Sequence, residues 1–378
     1  MTTETAFDVT HLPELYQIDA ERLQLAKDRQ AAVWRREKPD KWPILFGAPL
    51  ASAQSEIPNP DLKEAFYDAD LMLCGQVRGS CGAANARSDA VPSMRGNYGV
   101  GTVLACVGLE QEVFADKMPW PRQHLSWEQI AALEPDDIEI QGTFARGLDF
   151  MRRAREVMED APPLYCMDTQ GPLDLAHLIM GDDFFYALHD DPPFVHHLLE
   201  ISLELGIRTH TWMKEIIDEP LDRIYHGNGL YAENMGIRIC EDTTAIIAPD
   251  SIDTFAIPYT RRLAQHFGGG WMHYCGRNDY LSAAACDVPE IRGLNFGHIP
   301  GHEHQHPFEE DMQRCLDSGT VYFGNWPRFF RESGRDYLDR MYRWSSQGCM
   351  ITSGNGALGG KDGFADVEAA LDYWYSLN

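Results

Sequence analysis

The residues best suited to chemistry lie in Gly269-Gly270-Trp271-Met272-His273-Tyr274-Cys275-Gly276, an apolar run that closes on a His-x-Cys pair and a glycine. In an extended chain residues i and i+2 point to the same face. The imidazole and the thiol would then project together from the end of one strand, and both are zinc-ligand types. Two small core-facing side chains would give the same spacing, since free cysteine is among the most buried residue types. A second run, His302-Glu303-His304-Gln305-His306, reads as a solvated loop ahead of a helix that Pro307 opens. The chain carries no nucleophile elbow and no P-loop.

The elements that must position these residues alternate short apolar runs with amphipathic segments. Such runs at 43–47, 70–74, 163–168, 236–241, 270–275, 291–296, 320–324 and 349–353 each end on polar residues or glycine. Alternation of this kind predicts parallel strands joined by helical crossovers. Eight of them close an α/β, (β/α)8 TIM barrel, here one domain over residues 1–378. The runner-up, an open doubly wound sheet, needs an early Gly-rich phosphate turn, and Gly99-Val100-Gly101 lacks the third glycine. Residues 1–40 read as a helical lead-in and 76–125 as an inserted hairpin or lid, with a β-rich piece over 102–107. Arg223-Ile224-Tyr225-His226 reads as part of a second insertion.

A barrel carries its active site at the C-terminal ends of its strands. The candidates there are Cys74 and Gln76, Asp168 and Gln170, Glu241 and Asp242, His273 and Cys275, Asn295 and His298, Asn325, and Ser353 with Asn355. Acids, an imidazole and a thiol facing one mouth suit a zinc or acid/base site, with Asp168, Glu241, Asp242 and Asn355 as catalytic candidates. Gln170 and Asn325 from strand ends, Arg95, Asn97, Tyr98 and Trp120 from the insertion, and His226 from the second one are candidate substrate contacts.

Fifty-eight acidic against thirty-two basic residues give a formal charge of −26. That charge repels phosphate backbones and anionic membranes, so neither nucleic acid nor membrane is an expected partner. No apolar run is long enough to span a bilayer, and the N-terminal residues lack a secretory pattern, which makes the expected location cytoplasmic. Nine cysteines without a CxxC fit reduced thiols.

Several segments carry a resemblance. They are Glu37-Lys38-Pro39-Asp40-Lys41-Trp42-Pro43, Gln170-Gly171-Pro172-Leu173-Asp174-Leu175-Ala176, Ile246-Ile247-Ala248-Pro249 with Pro258-Tyr259, His273-Tyr274-Cys275-Gly276, Phe323-Gly324-Asn325 and Ser353-Gly354-Asn355-Gly356. In this order and spacing the chain resembles the uroporphyrinogen decarboxylase superfamily. Its His-x-Cys-Gly strand end is similar to the zinc-dependent branch that moves methyl groups between thiols, corrinoid proteins and methylated substrates. The resemblance implies zinc on His273 and Cys275, a small-molecule methyl donor or acceptor, and a corrinoid supplied by a separate protein, because no Asp-x-His-x-x-Gly signature is present.

Two departures qualify it. Phe46-Gly47-Ala48-Pro49-Leu50 stands where true porphyrinogen decarboxylases are arginine-rich, which disfavours heme biosynthesis. Asn355 stands where thiol methyltransferases place another cysteine, and Cys349 lies at the other end of that strand. Glu241, Asp242 or His298 would then complete the metal site. Two alternatives stay open: a metal-free decarboxylase or lyase using Asp168, Asp242 and the arginines, and a non-catalytic barrel that binds a corrinoid or tetrapyrrole carrier.

Overall fold

The computed structural model describes residues 7–159, 161–168, 170–298 and 306–377. Six strands form one all-parallel sheet in the spatial order Ile44–Leu45, Met350–Ser353, Val321–Gly324, Ile291–Gly297, Gly270–Cys275, Ile237–Cys240. Two further positions continue the circle through single parallel bridges, Gln170 to Cys240 and Met94 to Leu164. From there the chain returns to the first strand, where the Asp89 amide donates to the Ile44 carbonyl at 3.0 Å. The eight positions give the expected (β/α)8 barrel-type α/β fold. Pro92, Pro162 and Pro163 explain why two positions are thin, since proline donates no ladder hydrogen bond.

Helices follow the strands around the circle and bury one stripe each. In Gly334–Ser345 the buried Tyr337, Leu338, Met341 and Trp344 recur at helical spacing, and Ser333 with Asp336 forms a capping box at its start. The core they cover is aromatic, with Trp271, Tyr274, Tyr322 and Trp326 all fully buried. Among the described residues no helix is long and apolar enough to cross a membrane.

Two expectations are corrected, the strand at 70–74 and the β-rich piece at 102–107, while the second insertion is found as expected. Residues 70–74 are not a strand but part of the helix Ala69–Asn85, capped by Asp68. Their short apolar run suits a buried helix face as well as a strand, and periodicity over so few residues cannot separate the two. The second barrel position is taken instead by the chain near Met94. Val103–Val107 is a 3-10 helix, and the nearby antiparallel pair is Gln111–Glu112 with Trp120–Pro121. Arg223–His226 pairs antiparallel with Leu230–Glu233 in a separate hairpin.

Candidate active site

Parallel pairing sets the site. Cys240 lies opposite His273, and His273 opposite Asn295, so three neighbouring strands present these side chains in one row. The Asn295 amide nitrogen donates to the Phe323 carbonyl at 2.5 Å. Its oxygen therefore faces His273 Nδ1, 2.6 Å away, and an amide oxygen can only accept. The His273 proton is thus held on Nδ1, which leaves the Nε2 lone pair directed into the site. Burial, with the Arg238 guanidinium nearby, pushes this imidazole below its ordinary value and keeps it neutral.

Around Nε2 stand three more donors. Cys275 Sγ is 3.5 Å away and Asp242 Oδ1 is 4.0 Å away. Cys240, Asp242 and His273 offer ligand atoms that all lie within 4.8 Å of one another. A tetrahedral zinc spaces its ligand atoms about 3.4–3.8 Å apart, so small side-chain movements would close this set on a metal. Burial raises the Cys240 thiol well above its ordinary range, and burial with the Asp242 charge pushes Cys275 up to about 11. Both thiols are protonated without a metal, so metal binding must release protons.

Small residues and a buried acid hold these donors in place. A Cβ on Gly297 would meet Cys275 Sγ at 2.4 Å, and one on Gly324 would meet the Asn295 amide nitrogen at 2.3 Å. Asp242 Oδ1 accepts from the Cys275 amide at 2.6 Å. The Asp242 and Thr243 amides in turn donate to the buried Asp174 carboxylate at 2.9 and 2.7 Å. Asp174 thereby fixes the turn that aims Cys240 and Asp242. The sequence placed it only within a family segment, and a lone acid inside a helix gives no signal for such a role.

Glu241 is corrected as a metal ligand. Strand alternation sends it to the opposite face from Cys240 and Asp242. There its carboxylate is buried and accepts from Thr260 and Thr244 at 2.8 and 3.1 Å. Burial pushes Asp174 up to about 7, and burial with the Asp174 charge pushes Glu241 up to about 8. The folded chain therefore binds protons here that the unfolded chain has already lost. Stability from this pair is full below about pH 4 and falls as pH rises toward 8. Glu241→Gln, which keeps both hydroxyl contacts, should stabilise the metal-free protein by on the order of 1 kcal/mol at about pH 8 and leave it unchanged near pH 4. Urea unfolding at the two pH values measures this.

His298 is also corrected as a ligand. It stands apart from the donor group, near Tyr322, His306 and Trp326, with its Nε2 3.5 Å from the Tyr322 hydroxyl. It lines a cavity of about 320 Å³ with Asn295, Asn325, Ser353 and Asn355. Ser353 and Asn355 also border a second cavity of about 310 Å³, lined further by Gln76, Ser93 and Tyr165. The two meet at the barrel mouth beside the donor row, and Asn325 and Asn355 are exposed within them.

Asp168 pairs with Arg238 at 2.7 Å and with Arg95 at 3.3 Å. Burial pushes its carboxyl up, but the two guanidinium groups outweigh this and hold it at about 2. His226 packs beside this cluster against Tyr165 and Trp271, and burial holds its ring well below the ordinary value. Gln170 is buried at its bridge to Cys240. Asn97 and Tyr98 are corrected as substrate contacts. Tyr98 is buried against Phe66 and Phe150, where its ring contributes to the core, and Asn97 contacts Met72 and Met118. Neither lines these cavities. Trp120 is exposed. Cys349 is buried with its thiol on the Trp344 carbonyl, before the strand whose far end carries Ser353. Of the histidine-rich run, residues 302–305 lie outside the described residues.

No family model matches the chain, and no curated protein matches it in sequence. Among solved structures it is similar to a methyltransferase from Methanosarcina mazei, with a TM-score of 0.62 and 15% identity, over 93% of this chain and 98% of that one. At this identity the likeness is one of fold. The chain is therefore an α/β barrel with the fold of that methyltransferase, carrying Cys240, Asp242, His273 and Cys275 together at its strand ends.

Proposed function

We propose that the chain is a zinc-dependent methyltransferase that moves a methyl group between a small ether, amine or thiol substrate and a corrinoid protein or thiol acceptor. The observation that carries this reading is the convergence of Cys240, Asp242 and Cys275 on the free Nε2 of His273. The fold shared with a methyltransferase supports the choice of transferred group. Bound there, zinc would hold a thiol as thiolate or polarise an ether or amine leaving group.

The chain's own residues then have separable tasks. Asn295 keeps the His273 proton on Nδ1 and Nε2 free. Asp174 fixes the turn that carries Asp242. Ser353, Asn325 and Asn355 line the cavities that receive the substrate. A corrinoid acceptor would be presented by a separate protein at this mouth.

The test is methyl transfer from a panel of methoxylated, methylthio and methylamino compounds to cob(I)alamin, with protein purified without chelators. Methylcobalamin formation that stops on zinc removal and returns on its addition is the expected result. Methylcobalamin formation that survives zinc removal would overturn the zinc requirement, and chelator-insensitive loss of carbon dioxide from a carboxylated compound, without methylcobalamin, would favour the metal-free decarboxylase or lyase. Stoichiometric zinc without transfer from any compound would favour a non-catalytic carrier-binding barrel.

A further inference from the structure

The mouth holds a second group of charges that the metal reading does not use. Arg95 and Arg238 both reach the same oxygen of Asp168, so two guanidinium groups share one carboxylate atom. Only Nη1 of Arg95 has a partner among the described residues, which leaves most of its five donors open. Arg238 Nε is buried and has no hydrogen-bond partner among the described residues. Buried donors without acceptors are costly, and a net positive charge between low-dielectric walls attracts an anion.

There is space for one. Arg95, Asp168, His226 and Arg238 surround a void of about 10 Å³, close to the room of a single water-sized atom. Tyr165 lines this void and also the 310 Å³ cavity beside it. Arg238 lies two residues before Cys240 on the same strand face, which places the charges one side chain away from the donor set.

We propose that Arg95 and Arg238 form an oxyanion subsite, and that the small-molecule substrate carries a carboxylate or a sulfonate. One anion oxygen fills the small void against the two arginines. The rest of the ligand passes Tyr165 into the larger cavity, and its reacting end turns toward His273. The assignment of that reacting end rests on the methyltransferase reading, while the anion subsite stands on the arginine geometry alone.

Calorimetric titration with benzoate and methanesulfonate, against benzamide as a neutral match for benzoate, tests the subsite in the full chain. The expected result is benzoate bound at least about tenfold more tightly than benzamide, the low end of what a charge-assisted hydrogen bond supplies. Arg95→Gln should remove that preference and Arg95→Lys should keep part of it. In the wild-type chain benzoate should protect Arg95 from phenylglyoxal, a readout that does not depend on any variant folding. His273→Ala should bind benzoate as the wild type does, so loss of the metal reading would leave this result intact. Equal or absent binding of benzoate and benzamide, or an Arg95 modified equally with and without benzoate, would overturn the proposal.

Discussion

Cys240→Ala should lower zinc affinity by on the order of 100-fold or more, measured by competition with a chromogenic chelator, because in the proposed site it removes a thiolate ligand rather than a neighbour of one. Glu241→Gln, one residue along, stays within about threefold of the wild type, since its carboxylate faces Thr244 and Thr260 on the other side of the strand. The contrast separates the two faces of one strand end.

The second large effect belongs to a residue that touches no metal. Asn295→Ala removes the acceptor that holds the His273 proton on Nδ1, 2.6 Å away. Loss of such an orienting partner costs about 10–100-fold in metal affinity. Gly324→Ala should act on the same atom by a different route, because its Cβ would come within 2.3 Å of the Asn295 amide nitrogen. Both variants should keep the far-ultraviolet circular dichroism of the wild type while losing zinc in the same competition assay. A retained affinity in Asn295→Ala would show that His273 needs no tautomer lock from Asn295 to bind the metal.

The His273 and Cys275 pair was legible because both lie on one strand, where a spacing of two fixes the face. The partners from the neighbouring strand were harder to read. Taking residues 236–241 as a strand and counting every polar residue at its end as mouth-facing hides the parity that sends Cys240 and Asp242 inward and Glu241 outward. Register was the missing quantity. Once Cys240 is known to lie opposite His273, alternation alone excludes Glu241.

The strand at 70–74 was misread for a different reason. Leu71, Met72, Leu73 and Cys74 form an apolar run bounded by Asp70 and Gly75, which a buried helix face satisfies equally well. Arg95 and Asn97 sit two residues apart in one loop, yet only Arg95 reaches Asp168. Tyr98 was a candidate from the insertion, but its ring is buried against Phe66 and Phe150. Local sequence does not encode which of these neighbours the long-range packing turns inward.

X-ray absorption at the zinc edge of the protein purified without chelators reads the proposed donor set itself. The expected result is bound zinc with a mixed shell of sulfur from Cys240 and Cys275, nitrogen from His273 and oxygen from Asp242, and one sulfur fewer in Cys240→Ala. A protein that binds no zinc, or whose zinc has a shell of nitrogen and oxygen alone, would contradict it.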